Sequence, residues 1–134
     1  RIWSWFRVEP AEADCLMASA RSLKGTVEDS AGTQQTIMGG LNCRRGSTTA
    51  WPVIRASADG FLTITDEAGR EAMARLARGR GGEPEISSGP SGAAGLAGLT
   101  TLCRDPAMDG ARRQLGLSSG TTALIINTER QPLP

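Results

Sequence analysis

Residues 60–78 run Gly60-Phe61-Leu62-Thr63-Ile64-Thr65, then Asp66-Glu67-Ala68-Gly69-Arg70-Glu71-Ala72-Met73-Ala74-Arg75-Leu76-Ala77-Arg78. Over 60–65, polar and apolar side chains alternate as in a strand with one buried face. Asp66 is a residue type that opens helices, and the helix it starts runs to about Arg78. A strand that passes directly into a helix is the building unit of α/β folds.

The same alternation extends to both sides. Upstream, residues 2–8 suit a buried strand stopped by Glu9-Pro10, where Pro10 can enter the first turn of the next helix. Residues 11–21 are good helix formers, with Leu16, Met17 and Ala20 apolar. Residues 22–35 are polar and rich in Gly, Ser and Thr, hence a loop. Residues 36–46 hold the paired Gly39-Gly40, and 48–58 read as a helix with Pro52 in its first turn. Downstream, 79–84 is a loop and a short strand is expected around Ile86. Ser91 can then cap a helix of small residues through about Cys103. Residues 107–115 suggest another helix ended near Gly116, and 121–127 (TTALIIN) are the clearest buried strand. The last six residues, with two prolines, should fray. The expected fold is α/β, a mainly parallel sheet with flanking helices.

Composition narrows the chemistry. Of 134 residues, 39% are hydrophobic and 22% charged, which suits a packed domain rather than a disordered chain. A net charge of +1 argues against a nucleic-acid binder that works by bulk charge. No apolar run approaches the roughly 20 residues that span a bilayer. The start has no charged segment followed by an apolar stretch, so the expected location is the cytoplasm. The absence of His removes the commonest general base, the Ser-His-Asp triad and most zinc sites. Lys24 is the only amine that imine chemistry within this sequence could use. Arg1 is not an initiator Met, and an aromatic stretch follows it directly. Residues 1–134 are therefore expected to be part of a larger domain, truncated at both ends.

Three segments and three thiols merit weighing. Ser91-Gly92-Ala93-Ala94-Gly95 at a helix start leaves N–H groups open to an anion or a ring substituent, although tight packing against a sheet is the favoured reading. Gly39-Gly40 lets backbone approach a flat ligand, against the favoured reading of a turn needing positive φ. Asn127-Thr128-Glu129 follows the expected last strand, and ligands of open α/β sheets bind beyond such strand ends. The plainer alternative there is a solvated terminus. Cys15, Cys43 and Cys103 lack CxxC spacing, so no metal site is expected. Burial is the expected fate of each thiol. A Cys15–Cys43 disulfide stays open beside that reading.

Taken in order, Val8-Glu9-Pro10 with Ala13-Asp14-Cys15-Leu16, Thr36 to Cys43, Ala50 to Arg55, Ser91 to Leu99 and Leu124 to Glu129 resemble diaminopropionate ammonia-lyase. That family belongs to the fold-type-II pyridoxal-phosphate enzymes, with tryptophan synthase β, threonine dehydratase and serine racemase. The resemblance covers Val8 to Glu129 and corresponds to the carboxyl-terminal third or so of the family's sequence. It implies a cytoplasmic, commonly dimeric lyase of amino-acid catabolism. The implied cofactor is pyridoxal 5'-phosphate, and the implied reaction is α,β-elimination of ammonia from 2,3-diaminopropionate to give pyruvate. The cofactor ring serves as electron sink while the protein orients it.

The resemblance also implies roles for individual residues. Gly40 matches the glycine lying against the cofactor ring, and Thr128 the position whose hydroxyl faces the pyridine nitrogen. Ser91 and Gly92 match the small-residue helix start near the cofactor. Ser91 is the runner-up for Thr128's role, because the cysteine-synthase branch uses that segment. Lys24 matches no Schiff-base position, so no catalytic residue is assigned and this chain alone is expected to be inactive. In the racemase branch, carboxylates after Glu-Pro hold a divalent cation; Cys15 takes one of those positions, which implies no metal. Pro90 stands where the family usually has Glu, and Arg130 replaces the glycine after Thr-Glu. Two rival readings are a threonine- or serine-dehydratase-like β-eliminase and a non-catalytic α/β binding module.

Overall fold

The computed structural model describes residues 3–130. They form β1 (Phe6–Pro10), α1 (Cys15–Arg21), α2 (Trp51–Ser57), β2 (Gly60–Ile64), α3 (Asp66–Arg78), α4 (Pro90–Arg104) and α5 (Asp109–Gln114). Two 3-10 turns, Gly39–Leu41 and Pro106–Met108, complete the regular structure. The chain divides after Asp66 into two compact units. The fold is α/β, with a parallel sheet and helices.

In the first unit β1 and β2 pair in parallel, from Phe6 opposite Gly60 to Pro10 opposite Ile64. Gly60 is required there, because a Cβ would come within 2.8 Å of the Phe6 ring. Pro10 therefore ends the strand instead of starting a helix. The Ala11 N–H donates to the Ile64 carbonyl and the Ala13 N–H to that of Pro10, which turns the chain before α1 begins at Cys15. The expected helix over 11–21 is thus four residues shorter. Ala13, Cys15, Val27, Met38, Trp51 and Ile64 form the buried apolar core. Trp51 settles its polar edge as well, donating its indole N–H to the Gly25 carbonyl at 3.0 Å. Its ring meets Phe61 with centroids 6.1 Å apart.

The second unit is helical. Ala93, Ala94, Ala97 and Leu102 are the buried face of α4. Arg112 of α5 donates to the Leu102 and Asp105 carbonyls at 2.7 and 2.8 Å, closing the carboxyl end of α4. Gly116, at φ +64°, turns the chain out of α5, a conformation that costs glycine little. No helix among the described residues is long and apolar enough to cross a membrane.

Several expectations are corrected. Residues 121–127 are not a strand: the segment is irregular and joins no ladder among the described residues. A strand is completed by a ladder partner, which local propensity does not supply. Ile125 packs at Gly95, while Leu124 and Ile126 remain 78% and 67% exposed. Residues around Ile86 are likewise irregular, with the Ile86 N–H closing onto the Leu76 carbonyl. Residues 3–5 are not in the first strand, which begins at Phe6, and residue 2 of the expected strand lies outside the described residues. Ser91 is not the cap of α4, whose N-cap is Gly89 with Pro90 in the first turn. Gly39 and Gly40 are absent from the positive-φ glycines, so the paired glycine meets no left-handed requirement. Of the residues expected to fray, 131–134 lie outside the described residues.

Candidate functional site

The start of α4 is built around a carboxylate from far along the chain. Gly89, the N-cap, has no side chain to accept from the first helical N–H groups. Glu129 does so instead: its Oε2 accepts from the Ser91 N–H at 2.8 Å and from the Gly92 N–H at 3.3 Å. The positive end of the helix dipole favours an anion in this place. The Glu129 carbonyl also accepts from the Gly89 N–H at 3.1 Å. Asn127 completes the junction, its Oδ1 accepting from the Ser88 hydroxyl at 3.0 Å and from the Glu129 N–H at 3.3 Å.

The small residues at this helix start make room for that junction. A Cβ on Gly92 would come 2.7 Å from the Glu129 carbonyl oxygen and 2.9 Å from its nitrogen. One on Gly89 would meet Glu129 Cγ at 2.7 Å. Thr128, between the two anchored residues, is exposed. Ser91, Gly92 and Thr128 are therefore brought to one locality in the second unit. The anion at the helix start comes from the chain itself, where the sequence favours tight packing against a sheet over an external anion. Glu129 was visible in the sequence only as a neighbour of Thr128. Its partnership with α4 spans 38 residues and leaves no local pattern.

Gly40 belongs to the first unit, exposed in the 3-10 turn Gly39–Leu41. Buried Met38 anchors that turn, and Asp66 holds its approach by accepting from the Thr36 hydroxyl at 2.6 Å and the Ile37 N–H at 3.0 Å. A groove of about 200 Å³ lies beyond the carboxyl ends of β1 and β2, lined by Ala11, Glu12, Gln35, Ile64, Thr65 and Asp66. Glu12 is tied down by Thr33, whose hydroxyl and N–H donate at 2.6 and 2.8 Å. The Thr33 hydroxyl, then its N–H, hold the Glu12 carboxyl below the usual carboxylate range.

Glu9 is the buried acid of the first unit. Its two oxygens accept from the Leu16 and Met17 N–H groups, each at 2.9 Å, and so cap α1 from the preceding strand. Asp14, at the N-cap, instead receives the Ser30 hydroxyl at 2.6 Å. Burial raises the Glu9 pKa against the lowering effect of its hydrogen bonds.

Cys15 donates to Glu9 at 3.6 Å, and its thiol is pushed up to about 12 by burial first and by the Glu9 charge second. Cys15, Cys43 and Cys103 are all free thiols. Cys15 is buried as expected, whereas Cys43 and Cys103 are exposed and correct that expectation. Among the described residues, no group of three or more Cys, Asp or Glu is placed to hold a metal ion. Lys24 is exposed in the loop after α1, its N–H donating to the Ser22 hydroxyl.

Comparison with known proteins supplies the family. The model of the pyridoxal-phosphate dependent enzymes matches residues 5–120. The diaminopropionate ammonia-lyase of Escherichia coli (strain K12) is 34% identical over 122 residues, or 91% of this chain. The chain spans 30% of the length of that relative. A crystal structure of the Escherichia coli lyase, in complex with an aminoacrylate-PLP azomethine reaction intermediate, superimposes with a TM-score of 0.78 at 32% identity. That match covers 93% of this chain and 30% of the other. A threonine deaminase, from T.th., superimposes at a TM-score of 0.61 and 25% identity, covering 76% and 34% of the two chains.

Proposed function

The chain belongs to the pyridoxal-phosphate dependent enzyme family, and we propose that it forms one wall of the active site of a diaminopropionate ammonia-lyase. The reaction is α,β-elimination on 2,3-diaminopropionate, with pyruvate as product and both amino groups leaving as ammonia. The observation that carries this reading is the similarity to the lyase structure, at a TM-score of 0.78 against 0.61 for threonine deaminase. It favours the lyase over a dehydratase-like β-eliminase, and the family match favours an enzyme over a non-catalytic module.

The donor groups fit the ring of the cofactor rather than its phosphate. The Ser91 and Gly92 N–H groups are taken by Glu129, so the start of α4 offers no phosphate cradle. Thr128 presents a hydroxyl at an exposed position, and a hydroxyl can donate to a pyridine nitrogen without carrying charge. Bound pyridoxal phosphate supplies an electron sink for negative charge at the substrate Cα. Toward that ring the Thr128 hydroxyl would face the pyridine nitrogen, and Ser91 is the second choice for that role. By the resemblance, Gly40 would offer the ring face a backbone with no side chain. Gly92 acts beneath Thr128 by admitting Glu129.

Lys24 is assigned no part in cofactor attachment. Borohydride reduction of this chain with stoichiometric cofactor is expected to leave Lys24 unmodified; a stable adduct there would contradict the assignment. The protein is further proposed to be cytoplasmic and to act as a homodimer, as the resemblance implies.

The test is turnover by the protein carrying this chain. With 2,3-diaminopropionate, pyruvate and ammonia are expected at a higher kcat/KM than with serine or threonine. Preference for threonine, with 2-oxobutyrate as product, would move the reading to the dehydratase branch.

A further inference from the structure

We propose that Glu129 and Asn127 are positioning residues that fix Thr128 toward the cofactor ring, and that the start of α4 is built to hold Glu129 rather than a ligand. The inference rests on the role proposed above for Thr128. Both chain neighbours of Thr128 are anchored. Glu129 is held at its side chain by Ser91 and Gly92 and at its carbonyl by Gly89. Asn127 is held by the Ser88 hydroxyl and returns an acceptor to the Glu129 N–H. A residue between two such anchors has little backbone freedom, and Thr128 stands at an exposed position.

The charge arrangement points the same way. A carboxylate next to Thr128 could compete with its hydroxyl for a ring nitrogen and hold that nitrogen protonated. Here the Glu129 oxygen is turned onto backbone N–H groups at the positive end of a 15-residue helix, which satisfies its charge. The glycines follow from this. Gly89 and Gly92 are the positions where a Cβ would strike Glu129 itself, so they serve the anchor.

The experiment uses the complete protein that carries this chain and two readouts other than turnover. These are the dissociation constant for pyridoxal phosphate, followed by fluorescence, and the absorbance spectrum of the bound cofactor. Wild type, T128V, E129A, E129Q and the double variant T128V/E129A are compared. E129A is expected to weaken cofactor binding about tenfold, the scale of losing a charge-assisted hydrogen-bond pair. It should also shift the spectrum in the same direction as T128V. E129Q keeps an oxygen acceptor and should recover most of both effects. If Glu129 acts through Thr128, the double variant resembles T128V alone.

Additive losses in the double variant, or an E129A spectrum equal to wild type, would overturn the positioning role. If E129A does not fold, N127A with the same cycle carries the test. A T128V protein with wild-type spectrum and affinity would remove the Thr128 role itself, and this inference with it. The two failures are therefore distinguishable.

Discussion

The carboxylate of Glu9 stands 3.6 Å from the sulfur of Cys15, and both residues are buried. Glu9 at the end of β1 caps α1 with both oxygens, while Cys15 opens that helix. The pair joins the strand to the helix: the Glu9 charge opposes ionisation of the Cys15 thiol, while the hydrogen bond that thiol donates favours the Glu9 carboxylate against the effect of burial.

Replacing Glu9 should therefore cost more than a surface carboxylate would. E9A leaves two helix N–H groups without their acceptor, for an expected loss of about 2 kcal/mol at pH 5. E9Q, with one acceptor oxygen, should lose about half as much by the same reasoning. Urea unfolding monitored by circular dichroism measures both. A wild-type midpoint in E9A would refute the capping role.

The pH dependence has a definite sign. The folded pKa of Glu9 is raised above 4.5 by burial, so its contribution is full below 4.5 and declines as pH rises through the folded value. Glu12, lowered by Thr33, and Asp29, lowered by Arg45, act oppositely. Their contributions are present above 4.5 and 3.8 and are lost as pH falls through the lowered values. The stability gap between wild type and E9A is thus expected to narrow from pH 5 to pH 8. A gap that widens over that range would show the sign to be wrong.

Thiol reactivity should separate the three cysteines. Exposed Cys43 and Cys103 are expected to react rapidly with a disulfide reagent at pH 8. Cys15, buried with its thiol pushed up to about 12, should react only on unfolding. After air oxidation and denaturation without reductant, three titratable thiols would exclude a Cys15–Cys43 bridge, and one thiol together with a Cys15–Cys43 linked peptide by mass spectrometry would establish it.

Two glycine substitutions should move stability in opposite directions. G92A places a methyl against backbone atoms of Glu129, which cannot swing aside, for an expected loss of about 1–3 kcal/mol. That outweighs the gain of about 1 kcal/mol from alanine in a helix. G110A, in α5, meets nothing within 4 Å and should stabilise by about 0.5–1 kcal/mol. Thermal melts of the two variants check the contrast. A stabilised G92A would mean the Glu129 junction is looser than described.

The apolar residues of 121–127 should drive self-association. Leu124 and Ile126 are exposed on a segment without a strand partner. The isolated chain is expected to show concentration-dependent association in sedimentation velocity, reduced in L124K/I126K. A wild-type chain that stays monomeric at high concentration would count against this.

The limits of sequence reading lie in particular residues. The strand at Gly60–Ile64 and the helix at Asp66–Arg78 were legible because alternation and propensity agree over consecutive positions. Residues 121–127 carry an equally strong strand signal, but a ladder has two sides and propensity encodes one. The sequence offers Ser91, the nearest hydroxyl, as the cap of α4, two residues after the N-cap that forms. Gly89 instead leaves that work to Glu129. Ser91, Gly92 and Thr128 were each singled out in the sequence, whereas the hydrogen bonds that join their neighbourhoods are long-range. Pro10 shows the same limit: Ile64 opposite it, not its own propensity, makes it the end of a strand.

The cap on α4 arrives 38 residues after Ser91, in the first turn it serves. During synthesis, the helix emerges from the ribosome with its leading amides bare, and water must satisfy them until Glu129 follows. A nascent chain halted at residue 120 would present a first turn without its acceptor and a Gly95 without Ile125 over it. Translation of one acidic residue thus completes the first turn of a helix made long before it.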